Sequence, residues 1–266
     1  NGLDKITKDR VDNAIKLIMQ AKRQEKKVVV VTGSGPNIHE GVTTLIAELI
    51  TKGIVDGVLT SSAVIAHEMA GTLDKVKRVD GRKIGISKEI LPRGFLFEVT
   101  IMDEETLSQI KKEMIINEEL INKVLKEKGE TIIKAAGNMA YPMGLRTERI
   151  AREAERFAKS IGKPLEYVVG LGADERTMIG ASARKNIPIL VTVPQLVGGG
   201  AVGLAIGDSI SITERSARIA NILREADIII ESAVALTQEI HDGPFETYTG
   251  HGIWARWEGY KTYRLE

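Results

Sequence analysis

The sequence predicts an α/β fold of three layers, a parallel sheet with helices on both faces. Two observations carry the prediction. Short β-branched runs alternate along the chain with amphipathic stretches of helical period. Glycine-bearing turns follow several of those runs, where a strand would pass into a helix. No internal repeat or low-complexity linker breaks the alternation, so residues 1–266 are expected to form a single α/β domain.

The elements follow in order. "VVVVT" (28–32) is a β-branched run that reads as a buried strand. "VTTLIAELITKG" (42–53) sets Val42, Leu45, Ile46, Leu49 and Ile50 on one helical face, and Gly53 is a natural stop. "IVDGVLTS" (54–61) is the next strand, completing a βαβ unit. The region 84–130 is less regular, a charged helical insertion, and "EVTIMDEETLSQIKKEMIINEELINKVLKEKGE" within it reads as helix. A helix over 146–164 ends at Gly162 and Pro164. "LEYVVGLG" (165–172) and "IPILVTVP" (187–194) read as strands. "SITERSARIANILREA" (211–226) is a helix that opens with the Ser211/Glu214 spacing of a capping box and turns Ile212, Ile219, Ile222 and Leu223 to the core. "DIIIESA" (227–233) closes the series as a strand.

Composition removes several function classes. Lys and Arg total 37 against 36 Asp and Glu, so no bulk charge draws the chain to nucleic acid or an anionic membrane. No apolar run approaches the ~18 residues of a membrane helix. The amino end lacks the basic-then-apolar order of a signal peptide, and Asn1 and Gly2 read as a processing remnant. The absence of cysteine excludes disulfides, thiolate catalysis and zinc–thiolate sites, and suits a cytoplasmic protein. Abundant Ile, Lys and Glu suit a thermophile.

Ligands of open parallel sheets sit at the carboxyl ends of the strands. The expected ends carry "GSGPNIHEG", "SSAVIAHE", "GLGADERT", "VPQLVGGGAVGLAIGD" and "LTQEIHDG". Glycine lets backbone N–H groups approach a ligand, and a strand–glycine–helix turn suits phosphate or pyrophosphate. The first turn matches neither the G-x-G-x-x-G spacing nor a P-loop, so a plain strand–helix connection stays open for it. His39-Glu40, His67-Glu68 and His241-Asp242 all follow expected strands, where imidazole beside a carboxylate suits proton transfer. No close histidine spacing favours a metal, so an acid–base role ranks above one. Asp174 with Arg176 either meets ribose hydroxyls and an anion or closes as a surface ion pair. Asp208 is a candidate cap for the helix near Ser211. The aromatic carboxyl-terminal stretch with Trp254, Trp257 and Tyr260 favours a subunit contact.

The order of these motifs is familiar. "VVVVTGSGPNIHEGVTTLIAELITKGIVDGVLTSSAVIAHE" resembles the core of the archaeal-type ornithine cyclodeaminase family, which is related to lysine-oxoglutarate reductase/saccharopine dehydrogenase. Gly35, His39, Gly41, Gly53, Val55, Asp56, His67 and Glu68 carry the likeness. The later "NIPILVTVPQLVGGGAVG" and "READIIIESAVALTQEIHDG" match it in layout and are also similar to the strand and loop of deoxyhypusine synthase. The resemblance implies the Rossmann-like, deoxyhypusine synthase-like NAD-binding fold, NAD as cofactor and a homo-oligomer. The chain departs from the cyclodeaminase pattern in "QLVGGGAVG", which carries no charge. It also lacks a clear counterpart, near Trp254–Glu258, of the lysine on which deoxyhypusine synthase builds its imine.

Two functional expectations result. In the first, an NAD-dependent enzyme of lyase or oxidoreductase type takes hydride from a C–N carbon of an amino acid or amine, leaving an imine that cyclises, hydrolyses or exchanges. Gly33, Ser34, Gly35, Ser61, Ser62, Gly172, Asp174, Gly198 and Gly199 would surround NAD. His67, Glu68, His39 and Glu40 would move protons, and Asp242 would grip the amine. In the second, a non-catalytic NAD- or nucleotide-binding regulator reports through its charged 84–130 arm. A scaffold for a small phosphate or an acyl metabolite is a plainer possibility.

Overall fold

The computed structural model describes residues 2–33, 41–70, 74–134, 142–192, 200–231, 254–258 and 261–265. Four strands form the central sheet: β1 (Val28–Val31), β2 (Gly57–Thr60), β6 (Ile189–Val191) and β7 (Ile228–Glu231), in the order β6-β2-β1-β7. All three pairings are parallel, with Val31 beside Leu59 and Glu231, and Thr60 beside Val191. The strands β1, β2 and β6 are buried throughout, as their near-continuous apolar sequence requires of a sheet covered on two faces.

Helices cover both faces. On one side pack α2 (Val42–Thr51), α3 (Ser62–Ala70), α6 (Met143–Ser160), α7 (Leu165–Gly172), α8 (Met178–Lys185) and α9 (Gly200–Ser209). Ile46, Ile65, Ala151, Leu165, Ile179 and Ile206 join Val30, Val58 and Val191 in that core. On the other face α10 (Ile212–Arg224) lays Ile219 and Leu223 on Val31, Leu59 and Leu190. The amino-terminal helix α1 (Lys5–Arg23) is capped by Asp4, whose side chain accepts from Thr7 N–H. This is the three-layer α/β architecture that the alternation predicts.

A second sheet is antiparallel, in the order β4-β3-β5, built from β3 (Asp74–Asp80), β4 (Leu96–Thr100) and β5 (Glu130–Lys134). With α4 (Glu104–Glu113) and α5 (Glu118–Lys126) it forms its own apolar cluster around Val79, Val99, Ile121 and Val124. The region 84–130 expected to be a helical insertion therefore does hold two helices, but Leu96–Thr100 and Glu130 within it are strand. Strands β8 (Trp254–Glu258) and β9 (Lys261–Leu265) pair antiparallel near the carboxyl end. Among the described residues, no helix is long and apolar enough to cross a membrane.

Several expectations are corrected. "LEYVVGLG" is helix α7, opened by Pro164 in an extended conformation, not a strand. "SSAVIAHE" is not a loop, because α3 begins at Ser62 directly after β2. Leu45 and Ile212, expected toward the core, are 65% and 80% exposed. Ser211 does cap α10, accepting from Glu214 N–H at 3.1 Å. Asp208 instead pairs with Arg152 at 3.1 Å.

Candidate active site at the carboxyl edge of the sheet

The parallel ladder extends by one residue beyond its strands. Thr32 N–H donates to Leu59 C=O at 2.9 Å, and Thr192 N–H donates to Thr60 C=O at 3.1 Å. Thr32, Thr60 and Thr192 thus stand in a row along one edge, all buried. Gly33 is buried directly after Thr32, and Ser61 and Ser62 continue from Thr60 into the first turn of α3. A helix that begins at a strand end turns its partly positive amino terminus toward that edge. The hydroxyls of Thr60 and Ser61 have no hydrogen-bond partner among the described residues. A buried donor left that way costs about 1–3 kcal/mol, which a bound polar group would offset.

The expected site residues divide into three groups. Gly33, Ser61 and Ser62 come together at this edge. His67 and Glu68 lie on α3 as buried helical residues rather than in a loop. Gly172 ends helix α7 and Asp174 lies just beyond it, so no strand of the sheet carries them to the same row. Ser34, Gly35, His39, Glu40, Gly198, Gly199 and Asp242 lie outside the described residues, as do His241, His251 and Tyr260.

Glu68 has a specific structural surrounding. Its Oε2 accepts Ile179 N–H at 3.0 Å, and its Oε1 accepts the Thr43 hydroxyl. Thr43 Oγ1 in turn accepts Met178 N–H at 3.0 Å. The carboxylate therefore satisfies the first turn of α8, which Thr177 also caps through Gly180 N–H. Burial pushes the Glu68 carboxyl up to about 7, against the pull of its hydrogen bonds with Thr43, Ile179 and Met178. Both oxygens are engaged with protein donors.

Asp174 forms the ion pair that is one of its two expected forms. It closes on Arg176, whose Nε lies 3.0 Å from Oδ1, and that hydrogen bond holds its carboxyl below the ordinary range. Asp74, which the sequence reading missed, starts β3 with Oδ2 buried and unpartnered among the described residues. Burial, with Asp174 nearby, pushes it up to about 6. Two further carboxylates serve the backbone beside the edge. Glu166 Oε1 accepts Val191 N–H at 2.9 Å and pairs with Arg215 at 2.6 Å, both side chains being almost fully buried. Glu148 Oε2 accepts Ala201 N–H at 2.7 Å, at the start of α9. Among the described residues no group of three or more His, Asp or Glu side chains could hold a metal ion.

The family model for deoxyhypusine synthase matches residues 6–233. The chain belongs to the deoxyhypusine synthase family. Of the two likenesses in the sequence, the match is to this one. No curated protein matches the chain by sequence. Among solved structures, ArgZ, an arginine dihydrolase from the ornithine–ammonia cycle in cyanobacteria, aligns with a TM-score of 0.47 at 13% identity. That alignment covers 90% of this chain and 26% of ArgZ. A variant of AgrE in binary complex with L-arginine aligns at 0.49 and 13% identity, over 95% of this chain and 28% of AgrE. The chain thus spans roughly a quarter of the length of either protein. In this deoxyhypusine synthase family member the carboxyl edge offers small side chains, a helix amino terminus and the Thr60 and Ser61 hydroxyls, unpartnered among the described residues. Those features fit the ribose and phosphate groups of a dinucleotide.

Proposed function

We propose that the chain is an NAD-dependent enzyme acting on a C–N bond of an amino acid or amine by transient hydride transfer, in the manner of ornithine cyclodeaminase. The family match over residues 6–233 carries the reading. The Thr60 and Ser61 hydroxyls, unpartnered among the described residues, support it as polar groups that a dinucleotide would satisfy. When bound, NAD supplies the acceptor for a hydride from the substrate carbon.

In this reading Gly33, Ser61 and Ser62 hold the cofactor, together with Ser34, Gly35, Gly198 and Gly199 of the glycine turns. Gly172, at the end of α7, and Asp174, in the turn before α8, would reach it from there. His67 moves a proton, with His39 and Glu40 as its companions and Asp242 at the substrate amine. Glu68 moves protons beside His67 and also fixes α3 against α8 through its hydrogen bonds from Thr43 and Ile179. A homo-oligomer with a small-molecule substrate completes the proposal.

A second reading, an NAD-binding regulator without turnover, is favoured by the same full engagement of Glu68 and by the uncharged stretch Gln195–Gly203. One experiment separates the two. The purified protein is acidified, and the released small molecule is identified by mass. The holoprotein is then mixed with a panel of amino acids and polyamines while the near-ultraviolet absorbance of reduced nicotinamide is followed. Recovered NAD and a transient absorbance that His67→Ala abolishes, with cofactor still bound, are expected for the enzyme. NAD with no transient across the panel favours the regulator, and no NAD at all overturns both.

A further inference from the structure

The opposite edge of the parallel sheet holds a separate cavity of about 380 Å³, within the size range of small-molecule sites. Residues that precede β1, β2 and β6 line it, so it lies at the amino ends of the strands, away from the row of threonines. Its floor is apolar, formed by Val29, Leu190 and Ile222. Tyr167 walls one side, and the Lys163 ammonium sits 5.4 Å from the centre of its ring.

The charges around the cavity do not cancel. Asp56 is neutralised by Lys22 at 2.7 Å, Glu225 by Lys27, and Arg218 is paired with Glu214. Lys163 has no carboxylate partner among the described residues. The Asn186 and Asn221 amides also line the space and make no side-chain hydrogen bond among the described residues. An aromatic wall, an apolar floor and one uncompensated cation make a site for a flat apolar body that ends in a negative charge.

We propose that this cavity is a second ligand site that binds a small aromatic monoanion of the arylcarboxylate type. The ring lies over the apolar floor against Tyr167, and the anionic group meets Lys163.

The test uses the full chain and two fluorescent probes of the same shape: anilinonaphthalene sulfonate, which carries the charge, and phenylnaphthylamine, which does not. The sulfonate should bind saturably at one site. Lys163→Glu should weaken it about tenfold or more, the scale of one charge-assisted contact, and change the uncharged probe less than about twofold. Asn221→Trp, an exposed position that fills the space, should abolish binding of both. Unchanged melting temperatures show that the variants remain folded. Sulfonate binding that is absent, or equal in the native chain and both variants, overturns the proposal. Equal weakening of the two probes by Lys163→Glu overturns the role of charge and with it the ligand class.

Discussion

Glu68 Oε2 accepts the backbone N–H of Ile179 at 3.0 Å across a separation of 111 residues. The bond makes a side chain of one helix part of the first turn of another. Thr43 completes the arrangement from a third helix, so a single buried carboxylate ties α2, α3 and α8 together. Its protonation and its removal both have measurable consequences.

The folded Glu68 carboxyl titrates near 7, above its ordinary value of 4.5, because burial disfavours the anion. The folded state therefore holds this proton more tightly than the unfolded chain. The contribution of Glu68 to stability is fully present below about pH 4.5 and declines as pH rises through 7. Urea unfolding of the native chain and Glu68→Gln, compared from pH 5 to 8, should show the native chain losing stability relative to the variant. A difference that stays constant with pH would contradict this.

Thr43→Val keeps the shape but removes the hydroxyl that links Met178 N–H to Glu68. Two buried groups then lose a partner, at a cost of about 1–3 kcal/mol each. Thermal unfolding should register the loss.

The Arg215–Glu166 pair is more deeply committed. Arg215 also donates to the carbonyls of Val191 and Ile206, at 3.3 and 2.5 Å. Arg215→Met leaves the Glu166 charge buried alone and should cost about 3–5 kcal/mol in chemical denaturation. The double change with Glu166→Gln should recover much of that loss, because the isolated charge is gone.

Thr60→Val and Ser61→Ala remove hydroxyls that lack partners within the described protein. Stability should hold or rise slightly, whereas NAD affinity by calorimetric titration should fall about two- to tenfold per hydroxyl. Equal affinity in the native chain and both variants would remove these groups from the cofactor site.

Gly180 faces the chain at Asp174. A Cβ there would lie 2.0 Å from the Asp174 carbonyl oxygen, backbone that cannot swing aside. Gly180→Ala should destabilise by roughly 1–3 kcal/mol through overpacking, seen as a lower melting temperature.

The legible parts of the fold were those written in local pattern. The β-branched run at Val28–Val31 is a strand because it is apolar on both faces, and Ser211 caps α10 through a contact three residues away. "LEYVVGLG" reads as a strand yet is a helix, because a short apolar run suits either element. The decisive signals were Pro164 before it and the Leu165/Val169 spacing, which places both residues in one core. Asp174 and Arg176 are two residues apart, so their ion pair could be foreseen as an alternative. The surroundings of Glu68 could not, because they are assembled from Thr43, Met178 and Ile179 on elements far apart in sequence. The row formed by Thr32, Thr60 and Thr192 was hidden for the same reason: it exists only once the strand order is known.

The antiparallel sheet around Val79 and Val99 keeps an apolar cluster apart from the one beneath Val30 and Val58. Among the described residues these are separate nuclei of cohesion, each packed on its own sheet. Deuterium exchange is expected to open the amides of one while the other stays closed, so that a perturbation confined to either nucleus leaves its imprint there first.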